Sequence, residues 1–383
     1  MRTAQRLEEV GFSDIVQIRN KVLELRAAGQ PVHAFHGGEP FFDTPQPIKD
    51  AAARALANNL TRYAPSSGIP PLREAIARKL QTKNRIQAGV EDVLVTVGGA
   101  HALCAAFQAI LDPGDDLLLF SPYWTPIRDM VVLTGARPVI VPTTTARRNG
   151  IAAALEHYST PATRAIYYNT PQNPSGAVFT RSEADEVAAF AIRRNLVVIA
   201  DEAYEDLVYE GEHVSIASLP GMAERTITAY TLSKTYAMTG WRVGYAVAKE
   251  PFMTALRKLV LYSTNGVSTP TQWAAVEALS IPDSEIAARR EEYRLRRDKL
   301  VAGLNSLGLE CDLPAGAFYA FPSVRKIHKD SRRVAALLLE KAHVATIPGV
   351  VFGAQGEGHV RFSYSVSPET IDAGLAALRQ FLG

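Results

Sequence analysis

The chain has 383 residues, 47% hydrophobic and 21% charged, ordinary for a globular protein and long enough for one large core plus a smaller one. Lys and Arg number 41 against 39 Asp and Glu, a net charge of +2, which excludes strong electrostatic attraction to nucleic acid or an anionic membrane. Cys104 and Cys311 stand far apart with no CxxC or His cluster, and neither a signal-peptide core nor a membrane-length apolar run is present, so zinc and a disulfide framework are disfavoured and a cytoplasmic protein is expected.

Residues 15–28 carry apolar positions at helical spacing, and Gly29 stops them. A short strand-like run, 31–35, leads into the turn-rich Gly37-Gly-Glu-Pro-Phe-Phe-Asp-Thr-Pro45. Residues 47–58 and 71–83 read as helices joined by Thr61-Arg-Tyr-Ala-Pro-Ser-Ser-Gly68. A strand over 93–97, the pair Gly98-Gly99 and an apolar helix over 100–111 follow. Strand, glycine turn and helix together present amide N–H groups, here those of Gly99 and Ala100, to a bound anion, and the helix dipole adds roughly half a positive charge.

Strands and helices then alternate. Strands are expected at 117–120, 138–141, 165–168 and 196–200, with a helix at 182–194. This pattern predicts an α/β fold with a mostly parallel sheet. The first of these strands ends at Ser121-Pro-Tyr-Trp124, and in open α/β sheets that end of a strand is where ligands bind. Leu196-Val-Val-Ile-Ala200 is apolar throughout, as in a strand covered on both faces, and ends in Asp201. A carboxylate at that lip needs a partner, because burying it unpaired costs several kcal/mol (about 3–5 when one partner is missing).

The richest stretch is Thr228-Ala-Tyr-Thr-Leu-Ser-Lys-Thr-Tyr-Ala-Met-Thr-Gly-Trp-Arg-Val-Gly244. Apolar runs at 226–230 and 243–247 place Lys234 on a buried turn, where desolvation favours the free amine and its attack on a carbonyl. Thr231, Ser233 and Arg242 are hydroxyl and guanidinium donors suited to a phosphate. An amine beside a phosphate clamp describes a lysine holding pyridoxal 5'-phosphate as a Schiff base. Beyond residue 248 come helices at 252–262 and 270–279, then a long charged helix over 283–307. The remainder mixes strands at 317–321, 344–347 and 359–364 with helices near 331–342 and 368–382.

The segment Ser233-Lys234-(x7)-Arg242 resembles the lysine motif of the class I aminotransferases, the aspartate-aminotransferase-like group of fold-type I pyridoxal-phosphate enzymes. Motifs in the family's order run from about Gly37 to Arg361, and Asn169-Thr-Pro-Gln-Asn-Pro-Ser-Gly176 resembles the NxPxNPTG loop with Ser175 in place of threonine. The resemblance implies a large cofactor domain over 46–282, a small C-terminal α+β domain over 283–383, and a segment over 1–45 packing with the latter. It implies that Trp124 stacks on the pyridine ring, that Asp201 pairs with the ring nitrogen, and that Asn173 and Tyr204 donate to the phenolic oxygen. Gly38, through its N–H, and Arg361, through its planar fork, are implied for the substrate α-carboxylate. Tyr63 matches a tyrosine that crosses a homodimer interface to the neighbour's cofactor phosphate.

The implied activity is amino transfer between an α-amino acid and a 2-oxo acid, with Lys234, Asp201 and Tyr204 as the central chemical groups. The same shell serves elimination, substitution or cyclisation on an amino acid. A ligand-sensing protein of the same fold is disfavoured, since the helix before the Gly37 loop starts within fifteen residues and leaves no room for a DNA-binding extension. Some relatives carry a lysine after the glycine pair for a second carboxylate; Ala100 stands there, which weighs against a dicarboxylate preference. Asp14, Ile15, His36 and Phe41 are candidates for the side-chain pocket, with Asp14 favouring a polar or cationic substrate group.

Overall fold

The structure is a computed structural model describing residues 2–12 and 14–383. Twelve strands occur in chain order among these residues: β1 His33–Ala34, β2 Val93–Thr96, β3 Asp116–Ser121, β4 Arg137–Pro142, β5 Thr163–Asn169, β6 Val197–Asp201, β7 Thr226–Thr231, β8 Gly244–Val247, β9 Tyr319–Ala320, β10 Val344–Ala345, β11 Ile347–Pro348 and β12 Val360–Ser363. Seven form one sheet in the order β2-β8-β7-β6-β5-β3-β4. All its neighbours are parallel except around β8, which runs against both β2 and β7. The expected α/β architecture is therefore what the chain adopts.

The central strands are apolar because helices cover them. Residues of β3, β5 and β6 are buried almost without exception. One core packs Leu117, Leu119, Tyr167 and Ile199 against Phe107 and Leu103 of the helix Gly99–Ile110. Another packs Leu118, Ile166 and Val198 against Phe190 and Val187 of the helix Arg181–Arg193. That helix opens with a reciprocal cap between Thr180 and Glu183, which satisfies two otherwise orphaned amides.

A further apolar cluster joins Leu300 and Leu304 of the helix Asp283–Ser306 to Phe318, Val334, Leu338, Phe362 and Leu378, and it includes Tyr204. Here β11, β12 and β9 form a small antiparallel sheet, while β1 pairs in parallel with β10. The single strand expected over 344–347 is two strands in different sheets. Residues 143–158, to which the sequence assigned no element, form the helices Thr143–Asn149 and Ile151–Tyr158, separated by Gly150 in the left-handed region. No helix among the described residues is long and apolar enough to cross a membrane.

Antiparallel β8 brings two glycines into close register. Gly98 has φ +80°, a conformation that strains side chains. A Cβ on Gly244 would lie 2.5 Å from the Tyr230 carbonyl oxygen and 2.8 Å from the Gly99 nitrogen. The bare backbone at 244 is what lets the 98–99 turn rest on the sheet. Gly244→Ala should lower unfolding stability by about 1–3 kcal/mol, the usual cost of overpacking, read as a lower urea midpoint with unchanged m-value.

Candidate active site

The carboxyl ends of β2, β3, β5, β6 and β7 open on one edge, and the residues singled out by sequence follow directly from them. Gly99 follows β2, Trp124 follows β3, Asn173 follows β5, Asp201 closes β6, Thr231 closes β7, and Arg242 precedes β8. They line a cavity of about 330 Å³ together with Gly38, Ala100, Tyr204, Ser233, Lys234 and Arg361. Of the expected residues, every one assigned to the cofactor or to the substrate α-carboxylate lines this cavity except Tyr63, while of the four side-chain pocket candidates only Ile15 does.

Lys234 lies in the loop after β7 and is half-buried. Its Nζ donates to the Gly38 carbonyl at 2.6 Å. Desolvation, reinforced by the Arg361 cation, lowers its pKa to about 8, so a useful fraction is free amine near neutrality. Asp201 is 5% exposed. Its side chain accepts from the Tyr167 hydroxyl at 2.7 Å and the Ala203 amide at 3.2 Å. Burial raises its pKa to about 6 against those two donors. Among the described residues, no Lys, Arg or His forms a salt bridge to it, so a cationic ligand atom has an acceptor waiting at the cavity floor.

Arg361 is 2% exposed, not the surface charge that strand alternation would place there. Its guanidinium donates to Asn173 Oδ1 and to the His36 carbonyl, each at 3.0 Å, and lies 4.4 Å from the Tyr319 ring centre. Nε is buried without an acceptor. Because Asn173 uses its oxygen on Arg361, its amide N–H groups are left for a ligand. The Tyr204 hydroxyl is 2.8 Å from that of Tyr319.

The opposite end is an anion cup. The first amides of the helix Gly99–Ile110 have no acceptor within the helix. Thr231 donates to Ser233 at 2.9 Å. Arg242, with φ +54°, donates to the Thr239 and Val97 carbonyls at 2.9 and 3.4 Å. These donors fit a phosphate monoester, the buried carboxylate fits a protonated ring nitrogen, and the lysine fits an aldehyde, the three functional ends of pyridoxal phosphate.

The side-chain pocket candidates separate. Ile15 lines the cavity, whereas Asp14 pairs with Arg332 and lines a different groove. Successive helical residues project about 100° apart, so facing one of them inward turns the other away. Asp14 is thereby withdrawn from the role of receiving a substrate cation. Phe41 is exposed beneath the Arg296 guanidinium, 4.0 Å away. His36 contributes its carbonyl to Arg361 while its imidazole, desolvated and near Arg26 and Arg361, is pushed down to about 4. Tyr63 is 93% exposed and does not line the cavity of its own chain. Sequence reasoning missed Tyr319, Glu39, Leu103 and Thr239, all in the lining; Tyr319 sits in a short apolar run that reads only as core.

The sequence profile of the family described as "Aminotransferase class I and II" matches residues 32–378. The aspartate/prephenate aminotransferase of Thermus thermophilus is 41% identical, with 99% of this chain and 98% of that protein aligned. Aromatic-amino-acid aminotransferase 2 of Thermococcus litoralis is 38% identical over 100% of this chain and 98% of its own length. The structure of the aspartate aminotransferase from Thermus thermophilus with maleate superposes with a TM-score of 0.95 at 40% identity, covering 99% of this chain and all of that one.

In cofactor-free protein, trapping of Lys234 by an amine-selective reagent should rise with pH around a midpoint near 8. Arg361→Leu removes a cation that disfavours the ammonium, so its midpoint should move upward, measured by peptide mass spectrometry of the labelled lysine.

Proposed function

The chain belongs to the class I and II aminotransferase family and is a pyridoxal-phosphate-dependent enzyme that moves amino groups; we propose that its substrates are α-amino acids with uncharged, apolar side chains and the corresponding 2-oxo acids. The observation carrying this reading is the inventory of cations in the cavity. Among the described residues, the lining holds only Lys234, Arg242 and Arg361. Arg242 belongs to the anion cup, Arg361 to the α-carboxylate and Lys234 to the chemistry, which leaves none for a second carboxylate. Ile15, Leu103 and Trp124 offer apolar surface instead. One relative named above is an aromatic-amino-acid enzyme, which accords with such a wall.

Gly99, Ala100, Thr231, Ser233 and Arg242 would hold the cofactor phosphate, Trp124 the ring face, Asp201 the ring nitrogen, and Asn173 with Tyr204 the phenolic oxygen. When bound, pyridoxal phosphate supplies an aldehyde that links to amines and a ring that accepts the electron pair released at the substrate Cα. Arg361 binds the α-carboxylate as a two-point fork, with the Gly38 amide beside it, and so fixes which Cα bond faces the ring. Lys234, freed as an amine, takes the proton from Cα and would return it to the former aldehyde carbon, on the far side of the amino nitrogen. Asp201, kept anionic, holds positive charge on the ring nitrogen. Tyr204 and Asn173 place donors where negative charge sits on the ring oxygen.

We place the cofactor domain at 46–282 and the smaller domain at 283–383, with 1–45 packing on the latter. The enzyme works as a homodimer. Tyr63 and Tyr262 are 93% and 87% exposed, and the Tyr63 segment is held by Thr269 donating to the Arg62 carbonyl at 2.8 Å. Large aromatics this exposed accord with a covered interface, and Tyr63 then reaches the neighbour's phosphate. The two unpaired cysteines accord with a reducing compartment, the cytoplasm.

With 2-oxoglutarate as acceptor, kcat/KM should be higher for phenylalanine, tyrosine or leucine than for aspartate, with 2-oxo acid formed and no ammonia released. Ala100→Lys should raise kcat/KM for aspartate by about tenfold or more, the worth of one charge-assisted contact. Aspartate as the best substrate of the unaltered enzyme removes the proposal. Tyr63→Phe should weaken retention of pyridoxal phosphate on dialysis by about tenfold, with the fold and dimer unchanged by sedimentation.

A further inference from the structure

Asp201 would be a poor anion on its own environment. It ends β6 at the centre of the sheet, and the next residue, Glu202, adds a second buried carboxyl. Glu202 is occupied elsewhere. It accepts from Ser215 at 2.7 Å and Tyr230 at 2.8 Å and pairs with His213 at 2.9 Å. Lys79 is likewise committed to Glu205. Lys234 faces Asp201 across the cavity but bonds to Gly38. No basic side chain thus touches Asp201 among the described residues. Its one side-chain donor is Tyr167, whose hydroxyl meets Oδ2 at 2.7 Å.

Tyr167 is itself fixed. It lies on β5, opposite Ile199 in the parallel ladder, two positions before the Asn169–Asp201 pair. Its side chain thus runs along the strand toward the carboxyl edge. The ring packs 6.1 Å from Phe107, on the helix whose first amides form the anion cup. Asn169 holds the other side by donating to the Asp201 carbonyl at 3.0 Å. A rigid phenol on one carboxylate oxygen sets the orientation of the whole group.

We propose that Tyr167 is a positioning residue for the reaction: its hydroxyl holds the Asp201 carboxylate ionised and in one orientation, so that the acid meets the cofactor ring nitrogen already charged. Tyr167 does not line the cavity, which leaves it no direct part in holding substrate or cofactor. It acts through Asp201. The role rests on the pyridoxal-phosphate reading, but the contact can be tested in protein without cofactor, so a failure of one is distinguishable from a failure of the other.

The test is unfolding stability of cofactor-free protein against pH, for the unaltered chain and Tyr167→Phe. A carboxyl whose folded pKa lies above its unfolded value adds stability below the unfolded value and loses it as pH rises through the folded one. For Asp201 that window runs from 3.8 to about 6. Removing a hydrogen bond to the anion should extend the loss upward by about one pH unit or more. The difference between the two proteins should therefore be small at pH 5 and largest by pH 8. Phe107→Leu, which loosens the packing and keeps the hydroxyl, should give a loss independent of pH. In an Asp201→Ala background, Tyr167→Phe should cost nothing, because the hydroxyl has lost its acceptor. A pH-independent loss in Tyr167→Phe, or an undiminished loss in the Asp201→Ala background, overturns the proposal. Should Tyr167→Phe alone fail to fold, folding of the double variant supports it and failure of both refutes it.

Discussion

A carboxylate sealed at the end of a central strand, with no basic side chain against it, is the constraint around which the site is arranged. Such a group is costly to bury, and the chain tolerates it with a phenol, a backbone amide and a space where a cationic ring atom fits. The lysine across the cavity answers the same physics with opposite sign. Low polarity drives Asp201 toward its acid and Lys234 toward its free amine. One desolvated cavity therefore favours a free amine on one side and leaves, on the other, a carboxyl with room for a cationic ligand atom.

Position along the sheet does the rest. Parallel strands deliver their carboxyl ends to one edge, so residues far apart in sequence converge without long loops. Antiparallel β8 completes the set by returning Arg242 to that edge, beside the turn of Gly98 and Gly99. The second cluster of apolar residues reaches in from the other side with Arg361 and Tyr319, and Tyr204 belongs to its packing although it follows β6.

Much of this was legible in the sequence because the chemistry demanded unusual residues in ordinary surroundings. Lys234 between apolar runs, Asp201 at the end of Leu196–Ala200 and the glycine pair after a strand are each local signals. Arg361 was legible only through resemblance, since alternation alone would have set it facing water. Tyr319 and Tyr167 were not legible, because an aromatic in an apolar run looks like core until the partner of its hydroxyl is known. Asp14 and Ile15 show the opposite difficulty. Both lie in the right segment, and only helix phase decides which of them turns inward. The division of 344–347 between two sheets depends on pairing partners remote in sequence, which local pattern does not carry.

The pairing of β8 with both β2 and β7 has a bearing on biosynthesis. Val93 is opposite Val247, and Thr96 is opposite Gly244, so the Gly98–Gly99 turn acquires its supporting floor only after nearly the whole sheet segment has left the ribosome. Until then the early part of the chain carries an unfilled sheet position, the kind of exposed edge that invites pairing with other chains. Nascent polypeptide in that interval would be the form most in need of chaperone protection.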